Sequence, residues 1–181
     1  LGVAEAHPQA RVQFQAEGDD ALRALTTLMR SARHTLDVCT YVLGDDEVGA
    51  AVAHILSERA RAGVRVRLLV DAIGSLKSAH SHDAQLKAAG VQTRLFMPLR
   101  HNPRRSRTNR RDHRKLVVAD GQRLWSGGRN LANEYFIGGH DQPPWLDLSF
   151  TATGTLAVQA HALFEGDWRL AHGLKRTPRL G

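Results

Sequence analysis

The chain has 181 residues, 42% of them hydrophobic, which suits one domain with a sizeable core and argues against wholesale disorder. No stretch approaches the roughly 18 uninterrupted apolar residues of a membrane-spanning helix, and no basic, apolar, small-residue leader sequence stands out. The formal net charge of +7 rests on 25 Lys and Arg, of which only 4 are Lys, and points to anionic partners such as phospholipid headgroups, nucleic acid or phosphorylated small molecules.

Residues 11–15 read as a short strand, and Gly18-Asp19-Asp20 offers cap chemistry for a helix through about Arg33, with Leu22, Leu25, Leu28 or Met29 and Ala32 on one face. Thr35–Leu43 is a β-rich run containing the single cysteine, Cys39, which excludes an intrachain disulfide and reads as an inert core thiol. Gly44-Asp45-Asp46 breaks that run and opens a second helix to Ala62, closed by Gly63. Val64–Ile73 is a strand apolar enough for burial on both faces, its Arg65 and Arg67 expected to reach an edge or snorkel. A short helix at His82–Ala89, a stop at Gly90 and a strand at Val91–Phe96 follow.

Pro98–Asp112 has no apolar periodicity and reads as an exposed basic loop. Two strands, Arg114–Ala119 and Arg123–Ser126, are separated by an Asp120-Gly121 turn. A Gly/Asn-rich loop leads to a strand at Leu146–Thr153. The last helix sets Ala157, His161, Phe164 and Trp168 on one side. Trp125, Trp145 and Trp168 are expected in the core, whereas Tyr135-Phe136-Ile137 suits either packing or acyl-chain contact. The strand–helix alternation gives the expected fold: α/β, a mixed, largely parallel β-sheet sandwiched between helices. The expected organisation is an N-terminal extension (1–10), one domain (11–172) carrying the basic loop 98–112, and a tail or linker (173–181). Because the chain begins at Leu1, it is expected to be a piece of something longer.

Chemistry concentrates at Asp112-His113-Arg114-Lys115. His113 and Lys115, two apart at the start of a strand, point to one face. A neutral imidazole can attack phosphorus while an adjacent ammonium neutralises a non-bridging oxygen. Seventeen residues after His113 comes Asn130, in Ser126-Gly127-Gly128-Arg129-Asn130. Gly127 and Gly128 would let backbone approach a phosphate, and Asn130 can donate to it. Arg111 and Arg114, within the arginine cluster before His113, are candidate substrate-binding residues for an anionic group. His80-Ser81-His82-Asp83 with His101 is too permissive a spacing for a metal site; neither a metal nor a cofactor is expected.

His113-x-Lys115-x-x-x-x-Asp120 followed by Gly127-Gly128-x-Asn130 resembles the signature of the phospholipase D superfamily. The segments Tyr41–Gly49, Ala62–Asp71, Ile73-Gly74-Ser75, Trp145-Leu146-Asp147 and Phe164–Trp168 make it similar to the cardiolipin synthase-like members, from about Arg11 to Trp168. The resemblance implies that His113 forms a phosphohistidine with a phosphatidyl group, that Lys115 and Asn130 hold its oxygens, and that Asp147 supports the histidine's far nitrogen. Asp120 belongs to the signature, with a mainly structural role at the turn.

Such enzymes use two motifs, one histidine attacking and the other protonating the leaving oxygen; this sequence has one. A second motif-bearing half of the same polypeptide, or a twofold-related copy, is therefore the expected partner. An anionic phospholipid such as phosphatidylglycerol is the expected substrate, transferred to the hydroxyl of another phospholipid. The implied setting is peripheral contact with the cytoplasmic face of a bacterial inner membrane, with this fragment soluble. A homodimeric phosphodiesterase or nuclease, or a phospholipase D hydrolase, is the alternative. Against nucleic acid, the basic loop lacks interleaved base-stacking aromatics.

Overall fold

The computed structural model describes residues 10–71, 74, 81–96 and 113–173. The basic loop 98–112 with Arg111, and also His80 and His101, lie outside the described residues. Among those described, thirteen elements follow in chain order: β1 (Val12–Gln15), α1 (Gly18–Arg30), β2 (Thr35–Thr40), α2 (Glu47–Arg61), β3 (Arg65–Asp71), α3 (Asp83–Ala88), β4 (Gln92–Phe96), β5 (Leu116–Ala119), β6 (Arg123–Gly127), α4 (Asn133–Phe136), β7 (Ser149–Thr153), α5 (Thr155–Leu170) and β8 (His172–Gly173).

The strands form one mixed sheet of order β1-β7-β6-β5-β2-β3-β4-β8. Helices cover both faces, as the strand–helix alternation predicts. Parallel pairing is confined to β2–β3 and β3–β4; the other five pairs are antiparallel, which corrects the expectation of a largely parallel sheet. The physical reason lies in the connections. A parallel pair needs a crossover of a dozen or so residues, which α2 and α3 with their flanking loops supply. Beyond β4 the chain offers one hairpin, β5–β6, the four-residue α4 between β6 and β7, and α5, which carries the chain across the sheet to β8 and not to a neighbour of β7.

Alternation along the strands sorts the core into two layers. Leu36, Val38, Val66, Leu68, Val117, Ala119 and Trp125 face α1, α2 and α4. Cys39, Leu69, Leu116, Val118, Leu124 and Ala152 face α5 through Ala157, Ala160, Phe164 and Trp168. Cys39 is a buried free thiol, as expected. Trp125 and Trp168 are core, but Trp145 is 58% exposed, because it follows Pro143-Pro144 in a loop rather than a strand.

Arg67 departs from the snorkelling expectation. It points into the α5 layer and is 5% exposed. Its Nε and Nη2 donate to the Asp37 carboxylate at 2.7 and 2.9 Å, Nη2 also donates to Glu165 Oε1 at 2.5 Å, and its guanidinium lies over the Phe164 and Trp168 rings. A buried guanidinium is tolerable only when its charge is met, and here two carboxylates meet it.

Candidate active site

The register defines two poles of the sheet. Leu116, at the start of β5, pairs with Cys39 near the end of β2 and with Ser126 near the end of β6, while Gly127 pairs with Ser149 at the start of β7. The residues just beyond those ends are therefore gathered at one pole: Tyr41, His113, Lys115, Gly128–Asn130 and Asp147.

His113 is solvent-exposed and stacks on Tyr41, ring centroids 4.4 Å apart and planes inclined by 13°. Lys115 is half-buried, and its Nζ donates to the His113 carbonyl at 2.7 Å. The ammonium is thus held against the His113 backbone. Ser126 Oγ donates to the Lys115 carbonyl and ties this segment to β6.

Asn130 reaches the same pole through backbone pairing. Leu131 N–H donates to Val42 O and Gly44 N–H to Leu131 O, a parallel bridge that lays the loop along the exit of β2. Asp46 and Asn133 then lock the loop to α2. Asp46 caps α2 by accepting from Gly49 N–H and also accepts from Asn133 N–H; the Asn133 side chain returns by accepting from Val48 N–H. Asn130 is 6% exposed. One Nδ2 hydrogen goes to the Tyr135 hydroxyl at 2.8 Å, and Oδ1 is buried with no hydrogen-bond partner among the described residues.

The two glycines have an intramolecular explanation. Gly127 has φ +149, and a Cβ there would overlap the Leu148 carbonyl; at Gly128 a Cβ would occupy the space of the Asp147 carboxylate. Phosphate approach is the role expected of both, but close packing against the start of β7 requires them first. Among the described residues no hydrogen bond joins Asp147 to His113. The Asp147 Oδ1 instead accepts from Leu148 N–H at 2.6 Å, so the support expected for the imidazole is not formed here.

Two further candidate residues stand away from His113. Asp120 closes β5 at the opposite pole. Seven residues of extended chain, about 20 Å, separate it from His113. Its carboxylate accepts from the backbone N–H of Arg33, His34 and Thr35 and from Arg123. Burial alone would raise this carboxyl, but those hydrogen bonds together hold it below the ordinary range. It belongs to the fold and not to the reacting group, as its turn position foreshadowed. Arg114 sits between His113 and Lys115 in sequence and therefore points to the other face, where it pairs with Asp167 on α5 at 2.7 Å. It does not stand with His113.

Tyr41, Arg129 and Tyr135 were not singled out as site residues in sequence. Arg129, between Gly128 and Asn130, is completely buried. It donates to the carbonyls of Tyr135, Gln15 and Ala16 and to Ser149 Oγ, binding the Asn130 loop to β1, α4 and β7. Burial lowers its affinity for the proton, partly offset by the fields of Asp147 and Glu17. A charged residue in a glycine-rich loop reads as solvated, and no local signal would have marked it as interior. Tyr135 packs edge-on against Trp145 at 5.0 Å. With Leu146 fully exposed and Leu148 half-exposed, Trp145 gives this pole an apolar rim.

Among the described residues, one group of metal-type ligands converges: Asp37, His161 and Glu165. The Arg67 guanidinium already bridges both carboxylates, so the place a cation would take holds one.

A family model described as "Cardiolipin synthase, PLD-like domain" matches residues 25–168, and the chain belongs to that family. Cardiolipin synthase 2 of Bacillus cereus is 32% identical over 168 residues, covering 93% of this chain and 33% of the relative. Cardiolipin synthase A of Pseudomonas putida is 33% identical over 159 residues, covering 87% of this chain and 33% of the relative. The chain thus spans about a third of the length of the curated relatives it matches. Among solved structures it is similar in fold to NucT from Helicobacter pylori (TM-score 0.69, 15% identity, 91% of this chain and 99% of that one). It is likewise similar to the phospholipase D family member Nuc from Salmonella typhimurium (TM-score 0.66, 14% identity, 92% and 99%).

Proposed function

We propose that this chain is one catalytic half of a phosphatidyl-transfer enzyme that joins phospholipids through a phosphohistidine at His113. The observation that carries the reading is the exposed His113 imidazole stacked on Tyr41, with the Lys115 ammonium and the Asn130 amide at the same pole of a cardiolipin synthase-family domain. A ring nitrogen of His113 attacks the donor phosphorus as the bond to the leaving alcohol breaks. Lys115 and Asn130 steady the non-bridging oxygens, and the acceptor hydroxyl then displaces the histidine. The alcohol must leave protonated, and a second motif-bearing half, or a twofold-related copy, supplies that proton. General-acid help of this kind contributes about 10² to 10⁴ in rate.

Phosphatidylglycerol is the proposed donor, and peripheral contact with the cytoplasmic face of a bacterial inner membrane the proposed setting. The apolar rim of Trp145, Leu146 and Leu148 supports a lipid-facing pole. No helix among the described residues is long and apolar enough to cross a membrane. The proposed catalytic unit runs from 11 to 172, with extensions on either side, and needs neither metal nor cofactor. Asp147 is assigned to the imidazole once substrate and the second half are in place, and Arg111 to the substrate phosphate.

The test is labelling with phosphatidylglycerol radioactive at phosphorus, in the presence of the second half, followed by alkaline trapping of protein-bound label. Label on the wild-type chain, absent from His113→Ala, is expected; label of equal yield on both would overturn the assignment. The second reading, a homodimeric phosphodiesterase or a hydrolase, rests on the net charge of +7. Cleavage of single-stranded DNA by a twofold dimer, with lipid ignored, would favour it.

A further inference from the structure

The pole away from His113 carries a cleft of its own. The starts of β2 and β3, the β5–β6 turn and one side of α5 border a wide-open cleft of about 480 Å³, lined by Arg33, His34, Arg65, Asp120, Gln122 and His161 among others. That size falls within the roughly 300–1,000 Å³ of small-molecule sites.

Its charges can be accounted for one by one. Asp120 occupies the three backbone N–H groups of Arg33, His34 and Thr35, and Arg123 meets its charge at 2.8 Å. Glu165, whose field reaches Arg65, is already bridged to Arg67. Two guanidiniums are left over: neither Arg33 nor Arg65 makes a side-chain hydrogen bond or ion pair among the described residues, and both are exposed.

In its imidazolium form His161 adds a third donor, with Nε2–H toward the two carboxylates and Nδ1–H toward the cleft. Its Nε2 is shielded, has no hydrogen-bond partner among the described residues, and lies 3.5 Å from both Asp37 Oδ2 and Glu165 Oε1. Its Nδ1 faces the turn, 3.3 Å from where a Cβ on Gly121 would sit. Gly121 has φ +66 and no side chain, which keeps that side of the cleft open. The ring therefore has carboxylates behind it and the cleft before it.

We propose that this cleft binds the tetrahedral oxyanion of a phosphate group, gripped by Arg33 and Arg65 with His161 Nδ1 and the Gln122 amide completing the ring of donors. Guanidiniums suit this ligand because their paired N–H groups match two oxygens at once. The site stands about 20 Å of strand away from His113, so it goes beyond the transfer reaction and does not depend on it. The phosphate belongs either to a free phosphate ester or to a lipid headgroup.

The experiment is a two-dimensional amide NMR titration of the full chain, first with inorganic phosphate and separately with phosphatidylglycerol vesicles. Amides of residues 33–35, 121 and 122 and the His161 ring should shift with phosphate. Arg33→Ala or Arg65→Ala should each weaken binding about tenfold, the usual loss for one charge-assisted bond. Both side chains are exposed and unpaired, so the variants keep the wild-type spectrum elsewhere. His113→Ala should bind as the wild type does, which separates this site from the proposed phosphohistidine. Shifts with vesicles alone would support the site and make the lipid headgroup its ligand. Shifts confined to the His113 pole, or an Arg33→Ala/Arg65→Ala double variant of unchanged affinity, would overturn it.

Discussion

Asp120 closes the sequence signature that begins at His113, yet its carboxylate works at the far end of β5, on the amides of Arg33, His34 and Thr35. Asp120→Ala removes the acceptor for all three. Hydrogen bonds to a charged group contribute about 1.5–3 kcal/mol each when shielded, but Arg33 and His34 are exposed and water would replace much of what they lose. The Arg123 partner is 37% exposed, so its ion pair adds only a few tenths. Asp120 also has φ +54, a region that Asp and Asn tolerate better than Ala, at a difference of about 1 kcal/mol. Together these give a loss of about 2–4 kcal/mol for Asp120→Ala and about half that for Asp120→Asn, which keeps one acceptor and the turn. Urea unfolding followed by tryptophan fluorescence reads both. Because the folded carboxyl is held below its unfolded value, near 3.9, its stabilisation is fully present above that pH and is lost as pH falls through the folded value. Asp120→Asn should therefore flatten the acid limb of stability against pH. Phosphohistidine formation per folded molecule should survive both substitutions. An Asp120→Ala chain within about 0.5 kcal/mol of wild type, or one that folds normally and labels no better than His113→Ala, would refute this reasoning.

Three further outcomes follow from the site. Arg129→Met should cost about 3 kcal/mol or more, because it strands buried acceptors on β1, α4 and β7; an unchanged thermal midpoint would contradict the buried anchor. Gly128→Ala puts a methyl where the Asp147 carboxylate sits and should depress transfer at least about tenfold, read as kcat in the reconstituted enzyme against the unfolding midpoint. Activity equal to wild type would separate Asp147 from the reaction. Leu146→Asp alters a fully exposed side chain and should leave stability within about 0.5 kcal/mol, while weakening co-sedimentation with phosphatidylglycerol vesicles; undiminished partitioning would remove the apolar rim from the lipid contact.

Elements and chemistry were legible wherever a local rule applies. The helical periodicity of α1, α2 and α5, the Asp120-Gly121 turn, with both residues at positive φ, and the shared face of His113 and Lys115 all follow from backbone repeat and turn chemistry within a few residues. The Gly-Gly-x-Asn loop was likewise visible, although its glycines serve the packing of β7 and Asp147 before anything else. Arg67 and Arg129 were illegible as interior residues, because what buries them comes from Asp37 and Glu165 in the one case and from Gln15, Ala16 and Ser149 in the other, all distant in sequence. Trp145 was assigned to the core by its type, whereas its place is set by a loop that leaves it outside.

The sequence by itself determined the longer strands and helices, though not the short α4 and β8, and which side chains share a face, since these depend on periods of two and 3.6 residues along one chain. Only the tertiary structure decided that β5 inserts antiparallel beside β2. That pairing brings His113 onto Tyr41 and sends Asp120 to the other end. Strand order is settled by which backbone edges close on one another and which apolar faces must be covered. Both are properties of the assembled sheet that no spacing within a single segment carries.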